Sequence, residues 1–263
     1  MRGDRMVSDL LLATLDDSVL TLTLNRPERL NALSTGLLAA LADALDAGVA
    51  AGARAVLLTG AGRAFCSGAD LAGEGGVSAD LGETLEAYYH PLFQRLAALD
   101  IPVVSGINGP AVGAGVALAL AADIVVMARS AYLQLGFVNI GLVPDAGATW
   151  LLAKSAGRAK ALEMALLGER MSADEAKEAG LVARVVDDEA LPDEALAIAR
   201  RLAAGPTIAI GHIRKQVAAA LTHDLSATMA LEARNQTAAG RTDDFREGVT
   251  AFLQKRAPAF RGT

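Results

Sequence analysis

Asn108 to Asp123 reads Asn-Gly-Pro-Ala-Val-Gly-Ala-Gly-Val-Ala-Leu-Ala-Leu-Ala-Ala-Asp and directly follows the apolar run Ile101-Pro-Val-Val-Ser-Gly-Ile107. The run has the length and composition of a buried strand, and from Val116 onward the residues favour helix. Gly109, Gly113 and Gly115 stand between them, so the stretch dictates a strand, a glycine turn and a buried helix. The start of a helix at such a turn presents unpaired N–H groups and the positive end of a dipole, where an anion or a developing oxyanion is stabilised. The glycines do not spell a dinucleotide-binding fingerprint. Leu118 occupies the place of the third glycine, and no acidic residue follows at the required spacing of about 20 residues.

A chain of 263 residues, 52% of them hydrophobic, is long enough for one large domain or one domain with a helical appendage. Its net charge of −6 and the lack of a basic stripe argue against a nucleic-acid partner. Overall acidity leaves room for a phosphate-bearing ligand held by a few local cations. Cys66 is the only cysteine, so no intramolecular disulfide is expected, and no metal-ligand spacing is present. The charged N-terminal segment does not read as a signal peptide. The longest weakly polar run, Ala111–Ala122, is shorter than the ~20 residues of a membrane span. The expectation is a soluble, cytoplasmic protein without a membrane partner.

In chain order, Leu10–Leu15 and Val19–Leu24 predict a hairpin, and Ser34 predicts the N-cap of a helix reaching Gly48 with Leu37, Leu38, Leu41 and Leu45 on one face. Ala53–Thr59 predicts a strand, Gly73–Val77 a connector, and Asp80–Leu99 a helix that Pro91 must kink or reset. Strands follow at Ile124–Met127, Tyr132–Leu135 and Val182–Val186, with helices at Thr149–Ser155 and Arg158–Leu167 and a capping box at Ser172–Glu175. From Glu189 the pattern is helical throughout. The reading is an α/β core of residues 1–195, built from repeated strand–turn–helix units, and an all-helical region of residues 196–263.

Asn25-Arg-Pro, Asn31-Ala-Leu33, Gly60-Ala-Gly-Arg-Ala-Phe-Cys-Ser-Gly-Ala-Asp-Leu71, Ile101-Pro-Val-Val-Ser-Gly-Ile-Asn-Gly109, Asp123, Gly141-Leu-Val-Pro144, Ala176-x-x-x-Gly-Leu-Val182 and Ala251-Phe-Leu-Gln-Lys-Arg-Ala-Pro-Ala-Phe260 occur in that order over nearly the whole chain. The ordered set resembles the crotonase (enoyl-CoA hydratase/isomerase) superfamily. The segment Phe137-Val-x-Ile-Gly-Leu-Val-Pro-Asp145 is most similar to its 1,2-epoxyphenylacetyl-CoA isomerase type. The resemblance implies a crotonase-like spiral of ββα units with a helical C-terminal region that trimerises, in trimers or hexamers. It implies an acyl-CoA thioester as ligand, with no cofactor bound permanently and coenzyme A as part of the substrate. The thioester oxygen would lie between the amides of Ala69 and Ala114. Around it the resemblance implies contacts from Leu30, Ala32, Ser67, Gly68, Asp70, Leu71, Gly113, Phe137, Leu142, Pro144 and Phe260. Arg29, Lys255 and Arg256 would face the CoA phosphates.

Hydratases of that family use two glutamates, and here the matching positions are Ala117 and Phe137, neither of which transfers a proton. Asp145 remains. It reads either as a helix N-cap for the segment after it or as a pocket acid/base, and the resemblance favours the second. One carboxylate suffices to shift a double bond. His90 reads as an ordinary helix histidine or as a pocket group that activates water while Asp145 acts as a nucleophile on an aryl- or acyl-CoA. A third reading is an acyl-CoA-binding scaffold without turnover. Cys66 reads as a small buried filler beside the turn.

Overall fold

The computed structural model describes residues 5–72 and 80–263, and the connector expected over Gly73–Val77 lies outside the described residues. The chain begins with strands β1 (Arg5–Ser8), β2 (Leu11–Asp16) and β3 (Val19–Leu24), paired antiparallel. Asp17 and Ser18 join β2 to β3 with φ of 47° and 61°, the left-handed pair that matches the twist of a two-residue hairpin. β1 has too few residues to show an alternation, so the sequence does not predict it. Helix α1 (Thr35–Ala50) opens where the Ser34 hydroxyl accepts the Leu37 N–H, and it buries Leu37, Leu38, Leu41 and Leu45. β4 (Ala55–Gly60) then pairs parallel with β3.

The segment expected as one helix before Leu99 has three parts: α2 (Leu81–Thr84), a π-helical turn over Leu85–Tyr89, and α3 (His90–Ala98). The His90 N–H reaches back five residues to the Leu85 carbonyl. Pro91 has no N–H and its ring crowds the preceding turn, and this one widened turn accommodates it without ending the helix.

β5 (Val103–Ile107), β6 (Ala111–Val112) and α4 (Ala114–Leu120) realise the strand, turn and helix of the central stretch. All seven α4 residues are buried. Next come β7 (Ile124–Ala128), β8 (Tyr132–Gln134), α5 (Ala148–Ser155), α6 (Gly157–Leu167), β9 (Met171–Ser172), α7 (Ala173–Glu178) and β10 (Arg184–Val186). The Ser172–Glu175 capping box is present at the start of α7. The main sheet runs β1-β2-β3-β4-β5-β7-β10, antiparallel over the first three strands and parallel beyond; β6, β8 and β9 form a second, small sheet. β5 is buried throughout, as befits an apolar run inside a sheet covered on both faces.

Helices α8 (Leu191–Ala203), α9 (Thr207–Ala220), α10 (Leu225–Ala239) and α11 (Asp243–Leu253) complete the chain. Ala195 of α8 sits against Gly106 of β5, where a Cβ would lie 3.3 Å from the alanine methyl. Arg214 ties α9 to the core: it pairs with Asp123 at 2.9 Å and donates to the carbonyls of Leu96 and Leu99 at the end of α3. Asp123 also accepts the Val103 N–H at 2.7 Å, so this motif residue holds elements together. Among the described residues no helix is long and apolar enough to cross a membrane.

Candidate active site

The loop between β4 and the central turn is held by two asparagines. Asn31 is fully buried, accepts the Arg26 N–H at 2.9 Å, and donates to the carbonyls of Ala61 and Ala64 at 2.9 and 2.8 Å. Asn108 accepts the Gly60 N–H at 3.1 Å and donates to Gly62 and Ala64 at 3.0 and 3.3 Å. Arg26 donates to the Ala32 carbonyl at 2.6 Å and pairs with Asp70 at 2.7 Å, with both side chains largely shielded from water. Arg26, Asn31 and Asn108 stand inside the sequence motifs with no role expected of their side chains. Their signal was there: polar side chains set between runs that must be buried need internal partners. Asp70, expected among the ligand contacts, has its carboxylate engaged in holding the turn.

Two turns meet on this frame. The Leu33 N–H donates to the Gly68 carbonyl at 2.7 Å, and the Leu33 carbonyl accepts the Asp70 N–H at 3.1 Å. Leu33 and Ala69 therefore form a parallel bridge in which the Ala69 amide faces away from Leu33. On the other side, Val112 donates to the Cys66 carbonyl at 2.9 Å and Gly113 to the Gln134 carbonyl at 2.9 Å. A Cβ on Gly68 would lie 2.8 Å from the Val112 carbonyl and 3.5 Å from the Ala114 nitrogen, and Gly68 has φ of 91°. Only glycine fits so close an approach in that conformation. Neither the Ala69 nor the Ala114 amide donates to a backbone carbonyl among the described residues. The two turns therefore bring the Ala114 nitrogen close to the residue before Ala69.

Asp145 enters from the loop before α5. Gly141, Ala146 and Gly147 all have left-handed backbone there, and α5 starts from Gly147 without a side-chain cap. The N-cap alternative for Asp145 is thus not what the carboxylate does. Its Oδ1 is buried and has no hydrogen-bond partner among the described residues. Burial pushes its pKa up to about 6, against the opposing influence of the His90 charge and of its own amide. A carboxyl in such surroundings is suited to exchange protons near neutral pH. Burial and then the neighbouring Asp145 charge also raise the phenol pKa of Tyr89. Burial pushes the Cys66 thiol up to about 12, which keeps it protonated and unreactive.

Phe137 is buried, and its ring tip lies 3.7 Å from where a Gly113 Cβ would stand. Ala117 is buried inside α4. Arg29 is exposed, and its carbonyl accepts from the Ser67 hydroxyl at 3.3 Å; the Leu30 carbonyl accepts the Ser67 N–H at 3.0 Å. Leu71, exposed, donates to Ala69 at 3.0 Å, and Leu142, beside half-buried Pro144, donates to Phe137 at 2.9 Å. Lys255 and Phe260 do not join this group: they follow α11, where Phe260 packs over Gly248. Arg256, expected near phosphates, is instead held by Glu247 through two bonds of 2.6 and 2.8 Å. An apolar cleft of about 450 Å³, lined by Pro206, Phe245, Val249, Phe252 and Phe260 among others, also belongs to this C-terminal region and has no residue in common with the Asp145 group.

The family model for enoyl-CoA hydratase/isomerase matches residues 14–263. The chain is 47% identical to 1,2-epoxyphenylacetyl-CoA isomerase of Escherichia coli over 263 residues, covering 97% of this chain and 99% of the relative. It is 44% identical to a "Probable enoyl-CoA hydratase" of Rhodobacter capsulatus, covering 94% and 96%. The crystal structure of an enoyl-CoA hydratase subunit I from Geobacillus kaustophilus superposes with a TM-score of 0.90 at 36% identity, covering 97% of this chain and 98% of that one.

Proposed function

Because the chain belongs to the enoyl-CoA hydratase/isomerase family and so acts on acyl-CoA, we propose that its reaction is the migration of a carbon–carbon double bond along an acyl-CoA thioester, with Asp145 as the acid/base. The observation that carries the reading is the Asp145 carboxyl, whose buried Oδ1 has no hydrogen-bond partner among the described residues and whose pKa burial raises to about 6. The Asp145 carboxylate removes a proton from a carbon beside the thioester. The negative charge spreads onto the thioester oxygen, where the Ala69 and Ala114 amides stabilise it as a dienolate. Asp145 then returns the proton two carbons away. Such donors count most when the surroundings are dry, and losing one typically costs about 2.7–4 kcal/mol of transition-state stabilisation. Ala117 and Phe137 supply no second carboxylate to orient water, which disfavours hydration. The Escherichia coli relative is named for isomerising an epoxide-bearing acyl-CoA, which supports isomerisation in general and not double-bond migration in particular; the hydratase names of other relatives represent the competing reading.

The test is solvent exchange. In deuterated water with 3-enoyl-CoA, the protein should move the double bond and take up deuterium, and Asp145→Asn should do neither. Hydration to a hydroxyacyl-CoA without bond migration would overturn the proposal. The influence of the His90 charge on Asp145 supports one alternative, in which Asp145 attacks an aryl- or acyl-CoA and His90 activates water. That route predicts a covalent adduct on Asp145 in the mass spectrum during turnover.

Arg29, exposed beside the Ala69 turn, is the CoA-phosphate cation this reading uses within one chain. We assign residues 196–263 to a homotrimer or hexamer interface. Leu225, Met229, Phe252 and Leu253 are all exposed in the single chain, more apolar surface than one helical region ordinarily leaves to water.

A further inference from the structure

Tyr89 reaches the oxyanion side of the site through its hydroxyl and lies within the influence of the Asp145 charge. The π-helical turn over Leu85–Tyr89 inserts one extra residue before Pro91, and Tyr89, its last residue, is buried while Tyr88 and His90 on either side are exposed. Its hydroxyl donates to the Leu33 carbonyl at 3.4 Å. That carbonyl also accepts the Asp70 N–H at 3.1 Å, and the Leu33 N–H donates to Gly68 at 2.7 Å. The Leu33 peptide groups therefore hold the chain on both sides of Ala69, and they fix the direction of the Ala69 amide. The same phenol is close enough to Asp145 to feel its charge.

We propose that Tyr89 is a positioning residue for the oxyanion side of the site: its hydroxyl, held in place by the π turn, fixes the Leu33 carbonyl and through it the aim of the Ala69 amide at the thioester oxygen. The inference rests on the reading of Ala69 and Ala114 as the oxyanion donors. It assigns Tyr89 no contact with the reacting carbons and no proton transfer. The physical basis is the steep dependence of a hydrogen bond on direction. A small rotation of the Leu33 and Ala69 peptides weakens the donor where charge develops, while the substrate's many other contacts are left alone. The effect therefore falls on turnover and on carbonyl polarisation, with binding spared.

Tyr89→Phe removes only the hydroxyl and keeps the buried ring. The experiment compares wild type, Tyr89→Phe, Asp145→Asn and a protein carrying 3-fluorotyrosine at position 89. The readouts are kcat and KM for 3-hexenoyl-CoA, the dissociation constant of 2-butenoyl-CoA, and the infrared shift of that thioester carbonyl on binding. The expected result for Tyr89→Phe is a kcat about tenfold lower or more, a dissociation constant within about twofold of wild type, and a clearly smaller carbonyl shift; losing a whole oxyanion donor gives about 10²–10³. The fluorinated tyrosine keeps a donor and should retain the wild-type shift and kcat, which covers the case of a poorly folded phenylalanine variant. Asp145→Asn should lose turnover with the carbonyl shift intact. A full wild-type shift and kcat in Tyr89→Phe, or loss of both with the fluorotyrosine, would overturn the role of the hydroxyl. A wild-type protein that produces no carbonyl shift would overturn the oxyanion reading itself.

Discussion

At the scale of single residues, the site depends on groups kept away from their preferred state. Asp145 is the main case. Its folded pKa of about 6 lies above the ordinary value of 3.8, so the fold favours the neutral carboxyl. The stability this contributes is full below the unfolded value and is lost as pH rises through about 6. Asp145→Asn removes a group that is costly to ionise, so calorimetry should find the variant melting higher than wild type at pH 8 and level with it near pH 4. In the same variant, turnover should fall by about 10²–10⁴, the usual contribution of a positioned acid/base. Catalysis needs the carboxylate, so wild-type kcat/KM should rise about tenfold per pH unit up to about 6 and level off above it. A flat profile from pH 5 to 8 would remove Asp145 from the role of base. Asn108 acts in the opposite way, through satisfied bonds. Asn108→Ala leaves the Gly60 N–H and the Gly62 and Ala64 carbonyls without these partners and should cost about 1–3 kcal/mol in denaturant unfolding.

At the scale of elements, two irregularities aim the chemistry. The π turn before Pro91 brings Tyr89 inward, and the close approach of α4 to the Cys66 segment brings the Ala114 amide beside the Ala69 turn. Gly115 makes the second possible, since a Cβ there would stand 2.3 Å from the Cys66 carbonyl. Gly115→Ala must lift α4 off the Cys66 segment. The expected cost is about 1–3 kcal/mol of stability, as for other overpacked sites, together with loss of turnover because the Ala114 amide moves with the helix. A variant that unfolds at the wild-type denaturant concentration would refute the close packing. The glycine turn, the buried helix and the cap at Ser34 were legible in the sequence because each is a local pattern with a local cause. The π turn was not: Pro91 announced a disturbance of the helix, but a kink, a break and a bulge all answer to the same proline.

At the scale of the whole molecule, the parallel order β3-β4-β5-β7-β10 brings the segments following β4 and β5 to the same end of the sheet, so Ala69 and Ala114 meet although 45 residues separate them in the chain. The C-terminal helices leave a broad apolar surface, with Phe252 81% exposed and Leu253 74% exposed. If this face joins subunits, Phe252→Glu should shift the sedimentation profile from an assembly toward single chains, since burying an unpaired charge is unfavourable. A profile unchanged from wild type would remove this face from the interface. The sequence by itself determined most of the elements and the ordered motifs that mark the family, because periodicity, capping and residue type are written along the chain. Only the tertiary structure decided which of the remaining polar groups are held as props and which is left without a partner. Arg26, Asn31, Asp70 and Asn108 find partners remote in sequence, while the buried Asp145 Oδ1 finds none among the described residues. Burial and hydrogen bonding depend on what the fold brings alongside, and no local pattern encodes that.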